Sequence, residues 1–167
     1  MSAVLMSIWP KWCELILSGQ KTVEVRKTKP RYKSPLLLRE PFVVVPFKVY
    51  IYCTLPRFPY EDYLVIYAGS ENCKALGYCG GKVIGEFSCD RIDPIGVPFP
   101  AWRSELAPEI LDATCLSYDQ LHRYAGHKTV YGWHVSEVKA YDRPQLLDAF
   151  GLQRPPVSWC YVEEIAA

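Results

Sequence analysis

Gly19-Gln20-Lys21-Thr22-Val23-Glu24-Val25-Arg26 is the stretch on which the reading of this chain turns. Just ahead of it, Pro10-Lys11-Trp12-Cys13-Glu14-Leu15-Ile16-Leu17-Ser18 has a proline where a first helical turn accepts one, and Gly19 stands where a helix stops. Residues 10–18 are therefore expected to form a short helix. Past the glycine the pattern changes to a period of two: Val23 and Val25 point one way, Thr22, Glu24 and Arg26 the other, as on a strand. Lys21, at the helix-to-strand turn, can reach the polar face, so that an ammonium, a carboxylate and a guanidinium converge. The same charges on a solvated strand face are ordinary, and an exposed pair is worth about 0 to 1 kcal/mol. Burial decides between the two.

Working outward, the tract behind the motif is basic: Lys27-Thr28-Lys29-Pro30-Arg31-Tyr32-Lys33. The whole chain has a formal net charge of only +1, yet residues 1–39 hold eight Lys or Arg against two acids, a net +6. Fields act over a Debye length of about 8 Å at physiological salt, so this local excess can steer an anion even in a near-neutral protein. Prolines 30, 35 and 41 forbid a regular helix and point to an extended loop over 27–41. Cations alternating with Tyr32 suit phosphate contact with base stacking; a merely solvated loop is the competing reading.

With 167 residues, half of them hydrophobic, the chain has the size and the core material of one domain, 1–167. Its seven cysteines are scattered without a Cys-x-x-Cys pair or a histidine at finger spacing, which suggests reduced thiols rather than disulfides or zinc. There is no signal-peptide pattern, and the longest apolar run, 41–54, contains Lys48 and is too short to span a bilayer. A cytoplasmic protein with no membrane partner is expected.

The remaining elements follow from periodicity and punctuation. Ala3–Ile8 is mostly apolar and of strand length, and Trp9 after it can either stack on a planar ligand or plug the core. Residues 42–54 are rich in β-branched and aromatic types, with a strand expected to begin after Pro46. Residues 55–81 form an excursion of no assigned role, with a helical turn only at 72–76. Lys82–Asp90 alternates as a strand, and Gly85 inside it marks a bulge or a close backbone approach. Residues 94–108, with four prolines and Trp102, suggest a covering loop. Ser117 followed by Gln120 is a capping-box pattern opening a helix that Gly126 ends. Lys128–Tyr141 is expected as one long strand, ended by Arg143-Pro144, and 155–165 supplies the last strand. About six strands with short helices and strand glycines give a mainly β, α+β protein with a small barrel-like sheet.

Several chemistries find no support. His122, His127 and His134 lack ligand spacing for a metal hydrolase, and there is neither a Gly-x-Ser-x-Gly elbow nor a Walker-type phosphate loop. Cys160 with His134 could serve as nucleophile and base, but Cys160 lies in an apolar run that favours an inert thiol. No cofactor is indicated.

The segment Gly19-x-Lys21-x-x-Glu24-x-Arg26 resembles the motif of the ASCH domain family, whose members have a PUA-like β-barrel fold. The likeness extends to Ser7-Ile8-x-Pro10, Val83-Ile84-Gly85-Glu86-Phe87, Tyr131-Gly132-Trp133-His134 and Arg154-Pro155-Pro156-x-Ser158-Trp159-Cys160-Tyr161-Val162, which look like the version in phage and prophage proteins. The resemblance implies a cleft for RNA or a nucleotide lined by Lys21, Glu24 and Arg26. One branch of the family removes the acyl group from N4-acetylcytidine with the motif lysine, a threonine and a glutamate before a later helix; this chain keeps Lys21 and has Glu24 at the threonine position, with Thr22 close by. Other members are nucleases.

Two functions follow as expectations, since fold alone does not assign activity. In the first, the chain binds RNA, another single strand or a nucleoside or nucleotide through Trp9, Lys21, Thr22, Glu24, Arg26, Lys27, Ser158 and Trp159. In the second it is a metal-independent hydrolase of a modified nucleoside or of RNA, with Lys21 as base or electrostatic stabiliser and Glu24 positioning water.

Overall fold

The computed structural model describes residues 2–30, 37–39, 43–55, 80–96 and 108–165. Arg31 to Lys33, the turn at 72–76 and the rest of the 56–79 excursion, and the Trp102 loop lie outside these residues. Eight strands and three short α-helices are present among them. In chain order these are β1 (Ser2–Ile8), α1 (Pro10–Leu17), β2 (Val23–Arg26), β3 (Leu37–Arg39), β4 (Val43–Cys53), β5 (Lys82–Gly96), α2 (Pro108–Thr114), α3 (Tyr118–Ala125), β6 (Val130–His134), β7 (Ser136–Gln145), a 3-10 turn (Leu147–Phe150) and β8 (Trp159–Glu163). The mainly β, α+β expectation holds. The barrel does not close: strands run in the order β2-β6-β5-β4-β1-β8, with β3 on β4 and β7 on β5, so the described sheet is an open path. It is mixed, because β1 pairs parallel with β4 but antiparallel with β8. No helix among the described residues is long and apolar enough to cross a membrane.

The chain divides into two compact units. The first comprises Met1–Gly19, Lys48–Phe87 and Glu137–Ala167, the second Gln20–Phe47 and Ser88–Ser136. The core of the first gathers Ala3, Leu5, Tyr50, Tyr52, Val83, Phe150 and Val162. Here α1 begins with Pro10 in its first turn, and Ser18 N–H closes it on Glu14 O at 2.9 Å before Gly19 leaves at φ +76°. Gly85 is the close approach expected of it: a Cβ there would stand 2.6 Å from the Lys139 carbonyl oxygen. The Pro155-Pro156-x-Ser158 segment is tied to β1, because Ser7 donates its hydroxyl to Pro156 O at 2.7 Å and its N–H to Ser158 O at 2.9 Å.

In the second unit the core is Val25, Ile95, Leu121, Ala125 and Val130, with Ile110, Leu111, Leu116 and Tyr118 packed against it. The capping box forms as the sequence predicts: Gln120 N–H donates to Ser117 Oγ at 3.2 Å, and Ser117 N–H to Gln120 Oε1 at 2.9 Å.

Several elements differ from expectation. β4 starts at Val43, ahead of Pro46; that proline falls between the residues paired with β3, Val43 and Val44, and those paired with β1, Val49 to Cys53, where a missing N–H costs least. Leu37–Arg39 is a short strand within what reads as loop. β5 continues to Gly96, so Pro94 belongs to a strand, at the register shift against β6. The single strand expected over 128–141 is two, broken at Val135, whose N–H donates to Thr22 O at 2.9 Å, and β7 runs past Arg143-Pro144 to Gln145.

Candidate nucleic-acid interface

β2 is buried on both faces. Val25 joins the second unit's core, while Glu24 pairs in the ladder with Trp133 and so shares its face of the sheet. Trp133 is itself fully buried and meets Phe47 edge-on at 5.9 Å, so the neighbour of Glu24 on this face is a buried aromatic ring. The solvated-face alternative is thereby overturned: Lys21, Glu24 and Arg26 are only 2%, 5% and 8% exposed.

Those three side chains meet. Glu24 Oε1 lies 2.9 Å from an Arg26 terminal nitrogen, and Glu24 Oε2 lies 3.4 Å from Lys21 Nζ. Lys21 also donates to the Thr114 carbonyl at 2.5 Å, at the C-terminus of α2, where unsatisfied carbonyls favour a cation. The same helix end accepts the Thr22 N–H at Ala113 O, 3.0 Å, while Cys115 Sγ donates back to Gln20 O at 3.4 Å. The motif is therefore clamped to α2 on either side of Lys21. One carboxylate lies between two cations out of water, an arrangement that is costly and for that reason common at functional sites.

A rim of cations and rings sits beside the triad. Tyr124 on α3 is 38% exposed, and Lys27 Nζ lies 5.0 Å above its ring. Burial pushes the Tyr124 hydroxyl up from the ordinary phenol range; Arg26 pulls it down and Glu24 pushes it up, which marks its nearness to the triad. Lys29 Nζ lies 5.4 Å over the Tyr131 ring, and Trp133 Nε1–H donates to Thr28 O at 3.3 Å, anchoring the start of the basic tract. At the edge of the same unit Asp93 Oδ2 is 2.8 Å from Arg91 Nε and 2.9 Å from His134 Nε2.

The predicted site residues divide between the units. Lys21, Thr22, Glu24, Arg26 and Lys27 fall in the second, with Thr22 and Lys27 exposed. Trp9, 51% exposed, and the half-buried Ser158 and Trp159 fall in the first, where Trp159 packs edge-on against Tyr161 at 5.4 Å. Cys160 is half-buried, and burial holds its thiol up, away from the nucleophilic thiolate. Thr114, Tyr124 and Trp133 were not among the predicted residues. The aromatic types of the last two were the available signal; nothing local announces that a carbonyl 93 residues away will hold Lys21.

An α+β protein with an open mixed sheet, bearing a buried cation–carboxylate–cation triad on a Gly-x-Lys-x-x-Glu-x-Arg strand, is the class that fold and site define. Residues 6–86 match the ASCH domain family model, and that family is in general RNA-binding or hydrolase-like. No curated protein matches the sequence. Among solved structures, the chain is similar to the crystal structure of ASCH from Zymomonas mobilis, at 22% identity and a TM-score of 0.61, covering 97% of this chain and 88% of that one. A tyrosine-to-phenylalanine mutant of the Zymomonas mobilis protein aligns at 19% identity and a TM-score of 0.58, covering 97% and 91%. At these identities the likeness concerns the fold.

Proposed function

We propose that this chain is a single ASCH domain that binds single-stranded RNA or its nucleotides at the Gly19–Arg26 motif. The observation that carries the reading is the burial of Lys21, Glu24 and Arg26 as one connected triad beside the Lys27–Tyr124 pair. A strand that only had to fill a core would be cheaper with apolar residues. Beside the triad, Lys27 and Lys29 place positive charge where phosphates are reached. Tyr124 and Tyr131, each already under a cation, offer faces on which bases stack, a sequence-tolerant contribution of about 1–3 kcal/mol per base. Lys21 serves here as a fixed charge, its ammonium engaged by Thr114 O and Glu24.

Photocrosslinking with a short single-stranded RNA carrying 4-thiouridine tests this. Crosslinks are expected in peptides containing Tyr124 or Tyr131; crosslinking that never reaches them contradicts the placement.

A further inference from the structure

We propose that the first unit carries a binding site of its own, a cavity of about 300 Å³ that takes a guanine mononucleotide, with the base inward on Glu86 and the phosphate outward on Lys139 and Arg143. The cavity shares no residue with the motif triad, and its size is at the lower end for small-molecule sites.

Its floor is held by hydrogen bonds and ion pairs. The Tyr141 hydroxyl donates to Glu86 Oε2 in a short hydrogen bond, and Lys48 Nζ lies 3.5 Å from Glu86 Oε1 and 3.2 Å from Glu164 Oε1. Tyr50, fully buried and edge-on to Phe150 at 4.7 Å, accepts the Ile165 N–H on its hydroxyl at 2.9 Å. Burial first, then the Glu86 carboxylate, holds the Tyr141 hydroxyl far above the ordinary phenol range, so it remains a donor at any physiological pH. Burial pulls Lys48 down, but the Glu164 and Glu86 carboxylates outweigh it and hold the ammonium charged.

Two carboxylates around one ammonium leave the floor with acceptors to spare. A carboxylate has about four lone-pair positions, and the Tyr141 and Lys48 contacts take one on each Glu86 oxygen. What remains is acceptor capacity on both oxygens of one carboxylate, a pair of acceptors. Guanine, with N1–H and the exocyclic N2–H side by side, matches such a pair bidentately; adenine sets an acceptor next to its amine and does not. At the mouth, Lys139 and Arg143 are exposed and outnumber Asp142, a cationic rim of the kind that holds a phosphate. With a carboxylate inside and a basic rim outside, the cavity suits a molecule with donors at one end and an anion at the other.

Calorimetric titration of the full chain with guanosine 5′-monophosphate, guanosine, adenosine 5′-monophosphate and inorganic phosphate tests the site. The expected result is binding of the guanine nucleotide about tenfold or more tighter than each of the other three. Arg143→Ala, an exposed change that leaves the fold intact, should bring the nucleotide down to the affinity of the nucleoside, and Glu86→Gln should abolish the preference for guanine over adenine. Loss of the guanine-over-adenine preference in Glu86→Gln with single-stranded RNA binding unchanged separates this site from RNA binding at the motif. No binding of the guanine nucleotide at millimolar concentration, equal affinity for the two nucleotides, or indifference to Arg143→Ala would overturn the proposal.

Discussion

Glu24 and Arg26, two residues apart on β2, lie 2.9 Å from each other with both side chains almost wholly buried. Side chains at i and i+2 share a face of a strand, and here that face looks into protein rather than water. Their pairing, with Lys21 completing it, is therefore part of the fold's internal electrostatics.

Removing Glu24 should be the most costly single change in the triad. Glu24→Ala removes the carboxylate shared by two buried cations and is expected to lower unfolding free energy by about 3–5 kcal/mol. Lys21→Met removes one cation, keeps the Glu24–Arg26 pair and packs a chain of similar length, and should cost clearly less, roughly 1–3 kcal/mol. Urea unfolding of both variants gives the order; a Lys21→Met loss equal to or above that of Glu24→Ala would refute it.

Gly85→Ala and Gly132→Ala separate two kinds of crowding. A Cβ on Gly85 meets a backbone oxygen, Lys139 O, at 2.6 Å, and backbone cannot give way without moving a strand. On Gly132 it meets the side-chain methyls of Val23 and Ile95 at 2.8 and 2.9 Å, which can rotate or shift. Overpacking of this kind costs about 1–3 kcal/mol, and Gly85→Ala should fall at or beyond the upper end with Gly132→Ala below it, as thermal melts would show.

Stability should fall in alkali, and Cys89 should be one reason. Burial pushes its thiol up to about 12, against about 8.5 when unfolded. The folded state then keeps its proton where the unfolded chain has lost it, so the stabilisation is complete below about pH 8.5 and is lost as pH rises towards 12, by up to about 1.4 kcal/mol per pH unit. Cys89→Ala should flatten that slope between pH 9 and 11 in urea titrations; an unchanged slope would show the thiol is not shielded.

Where one residue's neighbours in sequence are also its neighbours in space, the chain is readable. Pro10 with Gly19 fixed α1, Ser117 with Gln120 fixed the start of α3, and alternation across Val23–Arg26 identified β2. Convergence of Lys21, Glu24 and Arg26 was legible for the same reason, since all three lie within one turn and one strand. Their burial was not, because it depends on partners distant in sequence, such as Thr114, whose carbonyl anchors Lys21. The break at Val135 was hidden likewise: its N–H leaves for Thr22 O, a partner over a hundred residues away. Pro46 and Pro94 misled because proline forbids a strand only where an N–H must be donated.

The central claim, an RNA surface beside a buried cationic triad, meets its most direct test in the salt dependence of affinity. Fluorescence anisotropy with a labelled single-stranded RNA from about 50 to 200 mM salt should give log affinity falling linearly with log salt, at about 0.7 per phosphate contacted. Lys27→Ala should weaken binding and reduce that slope by about 0.7, as should Lys29→Ala. An affinity flat in salt, or the same slope in wild type and both variants, would contradict the account.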